Sequence, residues 1–370
     1  PAIAHLTAAT RADLGVVISA SHNPMPDNGI KFFARGGQKL PDAVEEAIED
    51  RLGEPWDRPT GASVGAIIPS PELAQAYVDH LVDAVVDFAG GAQPLAGLRI
   101  VVDAAHGAAS AVGPQALEAA GATVVAIHCE PDGTNINDGV GSTHLDTIQA
   151  AVVEHGADMG VAYDGDADRC LAVDASGAIV DGDKIMGVLA LAMKRAGTLY
   201  RDTLVATVMS NLGLHRAMRA AGIDIVEAAV GDRYVLEVMR DAGYTLGGEQ
   251  SGHVIVSAYG TTGDGVLTSM LLGALVARGE SLAALTSGIE SLPQVLVNVP
   301  GVDRSRVHTD AEVVKAADAA RAALGDGGRV LLRASGTEPL VRVMVEATTE
   351  DDAHRHAQAL AGVVTARLAL

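Results

Sequence analysis

Four short stretches of this chain gather the residue types that chemistry uses. The first is SASHNPMPDNGIKFF, residues 19–33. An apolar run ends there in Ser19-Ala20-Ser21-His22-Asn23-Pro24, two prolines stiffen the turn, and Lys31 follows. A hydroxyl at a strand exit, beside an imidazole and upstream of an ammonium, suits a nucleophile with an acid/base partner and a cation. The second stretch is Asp164-Gly165-Asp166-Ala167-Asp168-Arg169. On an extended loop, carboxylates at alternate positions face one side, and three hard anionic oxygens call for a hard divalent cation. An EF-hand also opens with alternating acids, but it needs Gly and Glu where this chain has Arg169 and Ala175. Arg169 beside the acids points to an anionic ligand shared with the metal.

The third stretch is GGEQSGH, residues 247–253. Its glycines let backbone approach a ligand closely, and Glu249, Ser251 and His253 offer the donors and acceptors that sugar hydroxyls require. VGDRYV, residues 230–235, presents Gly231, Asp232 and Arg233 just upstream as a similar candidate. The fourth is Arg333-Ala334-Ser335-Gly336-Thr337-Glu338, with Arg342 beyond Pro339. Guanidinium forks, hydroxyls and free amides together suit a phosphate dianion. Neither a Walker A sequence nor a complete GxGxxG is present, so nucleotide binding has no support.

These stretches need elements to hold them. GVVISAS (from Gly15), LRIVVDAAHG (from Leu98), TVVAIH (from Thr123), DMGVAYDGD (from Asp158) and TLVATVMSN (from Thr203) read as buried strands running into polar turns. Ala-rich helical segments such as LDTIQAAVVEHG lie between them, which is the βαβ rhythm of α/β sheets. The order strand, small-residue turn, helix, Gly, strand occurs twice, from Leu98 and from Thr203, as in the openings of two similar domains. After Pro293 the style changes. VLVNV, a charged helix, GRVLLRASG, LVRVMVEA and a last helix predict a small α+β domain with an antiparallel sheet. Breaks at Pro69-Ser70-Pro71, Asp181-Gly182-Asp183 and Pro293 divide the chain into residues 1–70, 71–180, 181–292 and 293–370.

The whole chain limits the partners. With a formal net charge of −21 it repels nucleic acid and anionic lipid, so neither is expected as a partner. A phosphorylated substrate then requires cations gathered locally against that field. The two cysteines, Cys129 and Cys170, form no CxxC pair and are read as buried thiols. No apolar run reaches the roughly 18 residues of a membrane span, and PAIAHLTAATRADLG does not read as a signal peptide. The expected compartment is the cytoplasm.

Taken together and in this order, SASHNP, DGDADR, GEQSGH and RASGTEP resemble the phosphoserine, metal, sugar-recognition and phosphate-binding loops of the α-D-phosphohexomutase family. Gln250 and VGDRYV are similar to its amino-sugar branch, whereas phosphomannomutase/phosphoglucomutase members, the alternative, usually read GEMSGH. Ala167 replaces a glycine frequent in the metal loop, and Ala334 stands where proline is common. The resemblance implies three α/β domains with mixed sheets between helices, plus a C-terminal α+β domain, around a central cleft. It implies interconversion of glucosamine 6-phosphate and glucosamine 1-phosphate, with a sugar 1,6-bisphosphate as primer and intermediate. Ser21 would carry the phosphate, and Asp164, Asp166 and Asp168 would hold one Mg²⁺ against it. Arg169 and Lys31 would spread phosphoryl charge, with Lys31 or His22 moving the proton. Gly231, Asp232, Arg233, Glu249, Ser251 and His253 would bind the sugar, and Arg333, Ser335, Gly336, Thr337 and Arg342 the distal phosphate. A homodimer and an activating kinase stay open as partners. A phosphatase that loses the same phosphoserine to water and a non-catalytic sugar-phosphate binder are the competing classes.

One further expectation concerns the first domain. GVVI lacks alternation and should be buried on both faces. Residues 1–70 otherwise offer only IKFFA, an edge strand near Ala62 to Ile68 and a helix from about Asp42 to Leu52. That is too little to cover a doubly wound sheet, so this domain is expected to be incomplete at its N-terminus.

Overall fold

The computed structural model describes residues 1–335 and 338–370. They form two units, one of residues 1–209 and 222–287, the other of residues 210–221 and 288–370.

The first unit holds three sheets. Strands β1 (Leu14–Ser19), β2 (Gly29–Ala34) and β3 (Gln38–Lys39) make an antiparallel sheet in that order. The register sets Val17 opposite Lys31 and Ser19 opposite Gly29, so the hairpin turn presents Ser21 while Lys31 lies on the returning strand. The second sheet has β4 (Arg99–Asp103), β5 (Thr123–Ile127), β6 (Met159–Tyr163), β7 (Cys170–Asp174) and β8 (Ile179–Val180) in the order β5-β4-β6-β7-β8. β5, β4 and β6 run parallel, and β7 and β8 run antiparallel to their neighbours. Residues 100–103 of β4 and all of β6 are buried, as central parallel strands covered on both faces must be. Tyr163 pairs with Cys170, so residues 164–169 form a hairpin tip.

The third sheet contains β9 (Thr203–Thr207), β10 (Asp224–Ala228), β11 (Leu246–Gly248) and β12 (Val254–Val256) in the order β10-β9-β11-β12. Here too the last pair is an antiparallel hairpin, with Gly248 opposite Val254 and residues 249–253 at its tip. A single bridge between Arg169 and His253, and the Cys170 N–H to Gly252 oxygen bond of 3.0 Å, fasten the two tips together. Helix Gly265–Val276 is buried along its entire length and packs against helix Leu73–Ala89. Its apolar residues run all round, as befits a helix surrounded by protein. Helix Leu73–Ala89 is amphipathic, burying Tyr77, Val78, Leu81, Ala84 and Val85 on one stripe.

In the second unit β13 (Gln294–Pro300), β14 (Arg329–Ala334) and β15 (Leu340–Glu346) form an antiparallel sheet in the order β13-β15-β14. Val341, Val343 and Val345 of β15 join Val313, Leu360 and Val364 of helices Ala311–Leu324 and Glu350–Leu368 in its core. The chain is thus an α/β protein with mixed sheets between helices and a C-terminal antiparallel sheet. Among the described residues, no helix is long and apolar enough to cross a membrane.

Three local expectations fail. Residues 64–68 form no strand; Ile67 and Ile68 are exposed, because no neighbouring strand offers the run a ladder. β1 is not buried on both faces either. Among the described residues it pairs only with β2, so Gly15 is buried while Leu14, Val16 and Ile18 are 50, 45 and 70 % exposed. Cys129 is half-buried rather than buried.

The packing predicts a sharp contrast. Ile100→Ala, at a fully buried position of β4, should destabilise the protein by about 2–5 kcal/mol in chemical denaturation. Ile67→Ala, on the exposed segment, should stay within about 0.5 kcal/mol of wild type.

Candidate active site

Ser21 sits two residues beyond β1 with φ of +53°, in the left-handed region that non-glycine residues rarely occupy. Three hydrogen bonds hold it there. Its N–H donates to Ser19 Oγ at 2.9 Å, and its carbonyl accepts from Gly165 N–H at 2.9 Å and from Asn137 Nδ2 at 2.7 Å. Position 165 must be glycine, because a Cβ there would strike the Ser21 oxygen and the Asn137 amide. The Ser21 hydroxyl lies 3.5 Å from His22 Nδ1. Burial and the Arg169 charge hold the His22 imidazole below its ordinary pKa.

The carboxylates of Asp164, Asp166 and Asp168 converge so that one oxygen from each lies within 4.8 Å of the others, all buried. They do so on a tight hairpin tip with Ala167 at φ +59°, not by the extended alternation expected from the sequence. Ala167 therefore occupies a left-handed position that glycine would take without steric penalty. Lys31 Nζ bonds to Asp166 and, at 3.1 Å, to Asp168 Oδ2. Burial alone would lower the Lys31 pKa, but the Asp168 and Asp166 charges prevail and raise it. Burial likewise works against ionised Asp168, yet His253, Lys31 and Arg169 together hold it below the usual carboxylate range. Asp164 goes the other way. Burial and the neighbouring Asp168 and Asp166 push it well up, and its nearest cation, Arg169 Nε, is 3.9 Å away.

The tip of β11 and β12 completes this side. Glu249 Oε1 accepts from Gly231 N–H at 3.0 Å, joining GEQSGH to VGDRYV. Asp232, at the start of helix Asp232–Ala242, pairs with Lys39 and lies 3.6 Å from His253 Nε2. Arg233 donates to the Leu40 carbonyl at 2.8 Å and pairs with Asp42 and Glu45. Ser251 Oγ and both ring nitrogens of His253 are buried without a hydrogen-bond partner among the described residues. Lys31 and Lys39 line a cavity of about 390 Å³ with Asp166 and Asp168, and one of about 330 Å³ with Gly231, Asp232 and Arg233. The first unit thus gathers Ser21, His22, Lys31, the three aspartates, Arg169, Gly231, Asp232, Arg233, Glu249, Ser251 and His253.

In the second unit, Arg333 and Arg342 stand opposite one another on β14 and β15. Burial and the Arg342 charge lower the Arg333 pKa, and Arg342 Nε is buried without a partner among the described residues. Such a pair of guanidinium groups is suited to an anion. Ser335 is buried, and its Oγ accepts from Glu338 N–H at 3.3 Å. Gly336 and Thr337 lie outside the described residues.

Sequence reasoning missed four contributors: Lys39, Arg304 (which donates to the Ser335 and Glu338 carbonyls), Asn137, and Asp103, which organises the loops behind Ser21. Only Asn137 left a signal, the density of Gly, Asp and Asn in DGTNINDG after a strand.

This fold is that of the phosphohexose mutases, and comparison with known proteins agrees. The phosphoglucomutase/phosphomannomutase α/β/α domains I, II and III match residues 1–55, 75–177 and 181–292, and the C-terminal domain of that family matches residues 296–363. The chain belongs to this family. It is 64 % identical to the phosphoglucosamine mutase of Acidothermus cellulolyticus over all of this chain and 79 % of that protein. It is 61 % identical to that of Saccharopolyspora erythraea over 99 % of this chain and 81 % of that protein. Among solved structures, Aspergillus fumigatus N-acetylphosphoglucosamine mutase in complex with GlcNAc-6P and magnesium shares the fold. Its TM-score is 0.74 at 18 % identity, covering 98 % of this chain and 91 % of that one.

The family is magnesium-dependent, and the aspartate triad fits such an ion. Asp164 Oδ2, Asp166 Oδ1 and Asp168 Oδ1 are each buried without a hydrogen-bond partner among the described residues, so each has an acceptor to spare. Three hard carboxylate oxygens in this grouping match the preference of Mg²⁺. Mg²⁺ at a hundredfold excess over its Kd should stabilise the wild type by about 2.7 kcal/mol in thermal unfolding. Asp166→Asn should lose most of that shift. An undiminished shift in the variant would remove Asp166 from the metal site.

Proposed function

We infer that the chain catalyses the phosphoglucosamine mutase reaction, interconverting glucosamine 6-phosphate and glucosamine 1-phosphate. The observation that carries this is the joining of the Ser21 turn to the aspartate tip through the Ser21 carbonyl and Gly165 N–H. That contact supports the reading because the Ser21 turn then adjoins the three converging carboxylates. The relatives at about 60 % identity supply the substrate.

In this reading Ser21 carries a covalent phosphate at rest. The phosphoryl group passes to O1 of glucosamine 6-phosphate, breaking the bond to Ser21 Oγ and forming glucosamine 1,6-bisphosphate. The O1 proton leaves to a base, for which His22 is the candidate, since its pKa lies below the ordinary value, whereas Lys31, its pKa raised by the aspartates, stays a cation. The bisphosphate turns over, and its 6-phosphoryl group returns to Ser21 Oγ, releasing glucosamine 1-phosphate. Mg²⁺ bound by Asp164, Asp166 and Asp168 would supply Lewis-acid stabilisation of phosphoryl charge. Lys31 and Arg169 add fixed cations to the same region, which matters because phosphoryl transfer is mostly positioning and charge stabilisation.

Gly231, Asp232, Arg233, Glu249, Ser251 and His253 are assigned to the sugar. The Ser251 hydroxyl and His253 ring, buried without a hydrogen-bond partner among the described residues, support that role, since buried polar groups ordinarily find partners. Arg333, Ser335 and Arg342, with Gly336 and Thr337, are assigned to the phosphate that is not reacting. A fixed grip on the remote phosphate lets binding energy orient the reacting end in both half-reactions. The sugar bisphosphate also serves as primer, while a kinase that first loads Ser21 and a homodimer complete the proposed partners. The cytoplasm, where sugar phosphates are held, is the proposed compartment.

Ser21→Ala should lower turnover by about 10³-fold or more in a coupled assay, and intact-mass spectrometry should find no phosphate on the variant. In the same assay kcat/KM should be higher for glucosamine 6-phosphate than for mannose 6-phosphate. The reverse order would assign the chain to the phosphomannomutase branch.

A further inference from the structure

We propose that Asn137 is a positioning residue for phosphoryl transfer, acting on Ser21 through its backbone carbonyl. The proposal rests on the reading of Ser21 as the phosphoryl carrier.

Both hydrogens of the Asn137 side-chain amide are engaged, one by the Ser21 carbonyl at 2.7 Å and one by the Asn23 carbonyl at 2.8 Å. These carbonyls flank His22, so one side chain fixes both sides of the Ser21-His22-Asn23 turn. The two N–H donors of an amide NH₂ group satisfy both carbonyls at once, whereas an oxygen at that place would repel both. Asn137 is itself nearly fully buried, and its Oδ1 has no partner among the described residues. Nothing at the far end of the amide competes to orient it.

The base beneath Asn137 is rigid. Its own N–H donates to the Ala105 carbonyl at 3.0 Å. Fully buried Asp103, at the end of β4, accepts from Ala105 N–H and from His128 Nδ1, both at 2.9 Å, and from Gly141 N–H at 3.1 Å. One carboxylate therefore ties together both ends of the loop that carries Asn137. Ala105, His106, His128 and Asn137 all have positive φ, as does Ser21. So many unfavourable backbone conformations persist only where the surroundings over-determine them, and they gather where geometry has a function.

The test compares Asn137→Asp, Asn137→Ser and Asn137→Ala with wild type for kcat, KM, Ser21 phosphate by intact-mass spectrometry, and thermal midpoint. The aspartate side chain has nearly the shape of asparagine but turns its oxygens on two carbonyls; serine keeps one donor. The expected result is a fall in kcat of about ten- to a hundredfold, because small misplacements of a reacting group are that costly. KM should stay within about twofold, since substrate contacts are untouched. The order should be wild type, Ser, Ala, then Asp. A role in filling space predicts Asp nearest to wild type, and that order overturns the proposal. So does a loss that merely follows the folded fraction. If Ala does not fold, the comparison of Ser with Asp decides in the same way. Ser21→Ala separates the two claims. Turnover in that variant overturns the carrier reading, whereas an inactive Ser21→Ala beside a fully active Asn137→Asp overturns the positioning role alone.

Discussion

The carbonyl oxygen of Ser21 is the point on which the site turns. It accepts from a backbone N–H of the aspartate tip and from the Asn137 amide, so loops from two different sheets meet at one atom. Holding serine in the left-handed region costs roughly 1–2 kcal/mol. Two hydrogen bonds worth about 0.5–1.5 kcal/mol each are enough to offset that. The arrangement also dictates small residues nearby. Gly165 admits no Cβ against the Ser21 oxygen, and Gly107 admits none against Gly165. With these in place, the backbone that carries the Ser21 hydroxyl, the proposed phosphate carrier, is fixed relative to the carboxylates, and such preorganisation is what a positioning-dominated reaction needs.

Charge is organised around the same point against an overall field of −21. Lys31 pairs with Asp168 and Lys39 with Asp232, and the His253 ring, whose pKa burial lowers, lies between the two carboxylates at 4.0 and 3.6 Å. Lys39 feels the conflict most. Its burial and the nearby Lys31 lower its pKa to about 8 despite the carboxylates around it. Asp164 shows the complementary effect, pushed up by burial and then by the Asp168 and Asp166 charges, which Arg169 offsets only in part. The cluster is short of positive charge, which is the condition under which a divalent cation is held well.

Much of this was legible in the sequence because chemistry concentrates at strand ends. Ser21, the three aspartates and the GEQSGH residues all lie where an apolar run stops and a turn begins, and all three of those turns join antiparallel strands. What escaped is what depends on contacts distant in sequence. Asn137 matters through partners more than a hundred residues away, and Lys39 through Asp232; the Gly-, Asp- and Asn-rich run around Asn137 marks a turn but not those partners, and nothing marks Lys39. The sequence shows Ala167 only as a replacement for a frequent glycine, and the backbone angle is what reveals its left-handed position. The apolar run at Val16 to Ile18 suggested burial on both faces, because periodicity alone does not say which edge lacks a partner.

The central claim is that Ser21 donates its phosphoryl group to the sugar, and a single-turnover transfer experiment tests it most directly. Enzyme labelled with radioactive phosphate on Ser21 would be mixed with unlabelled glucosamine 6-phosphate, and the label followed by rapid quench. The account predicts that label leaves the protein for the sugar, appearing in glucosamine 1,6-bisphosphate and then in glucosamine 1-phosphate, with unlabelled phosphate taking its place on Ser21. Label released directly as inorganic phosphate, or retained on the protein while product forms, would contradict it.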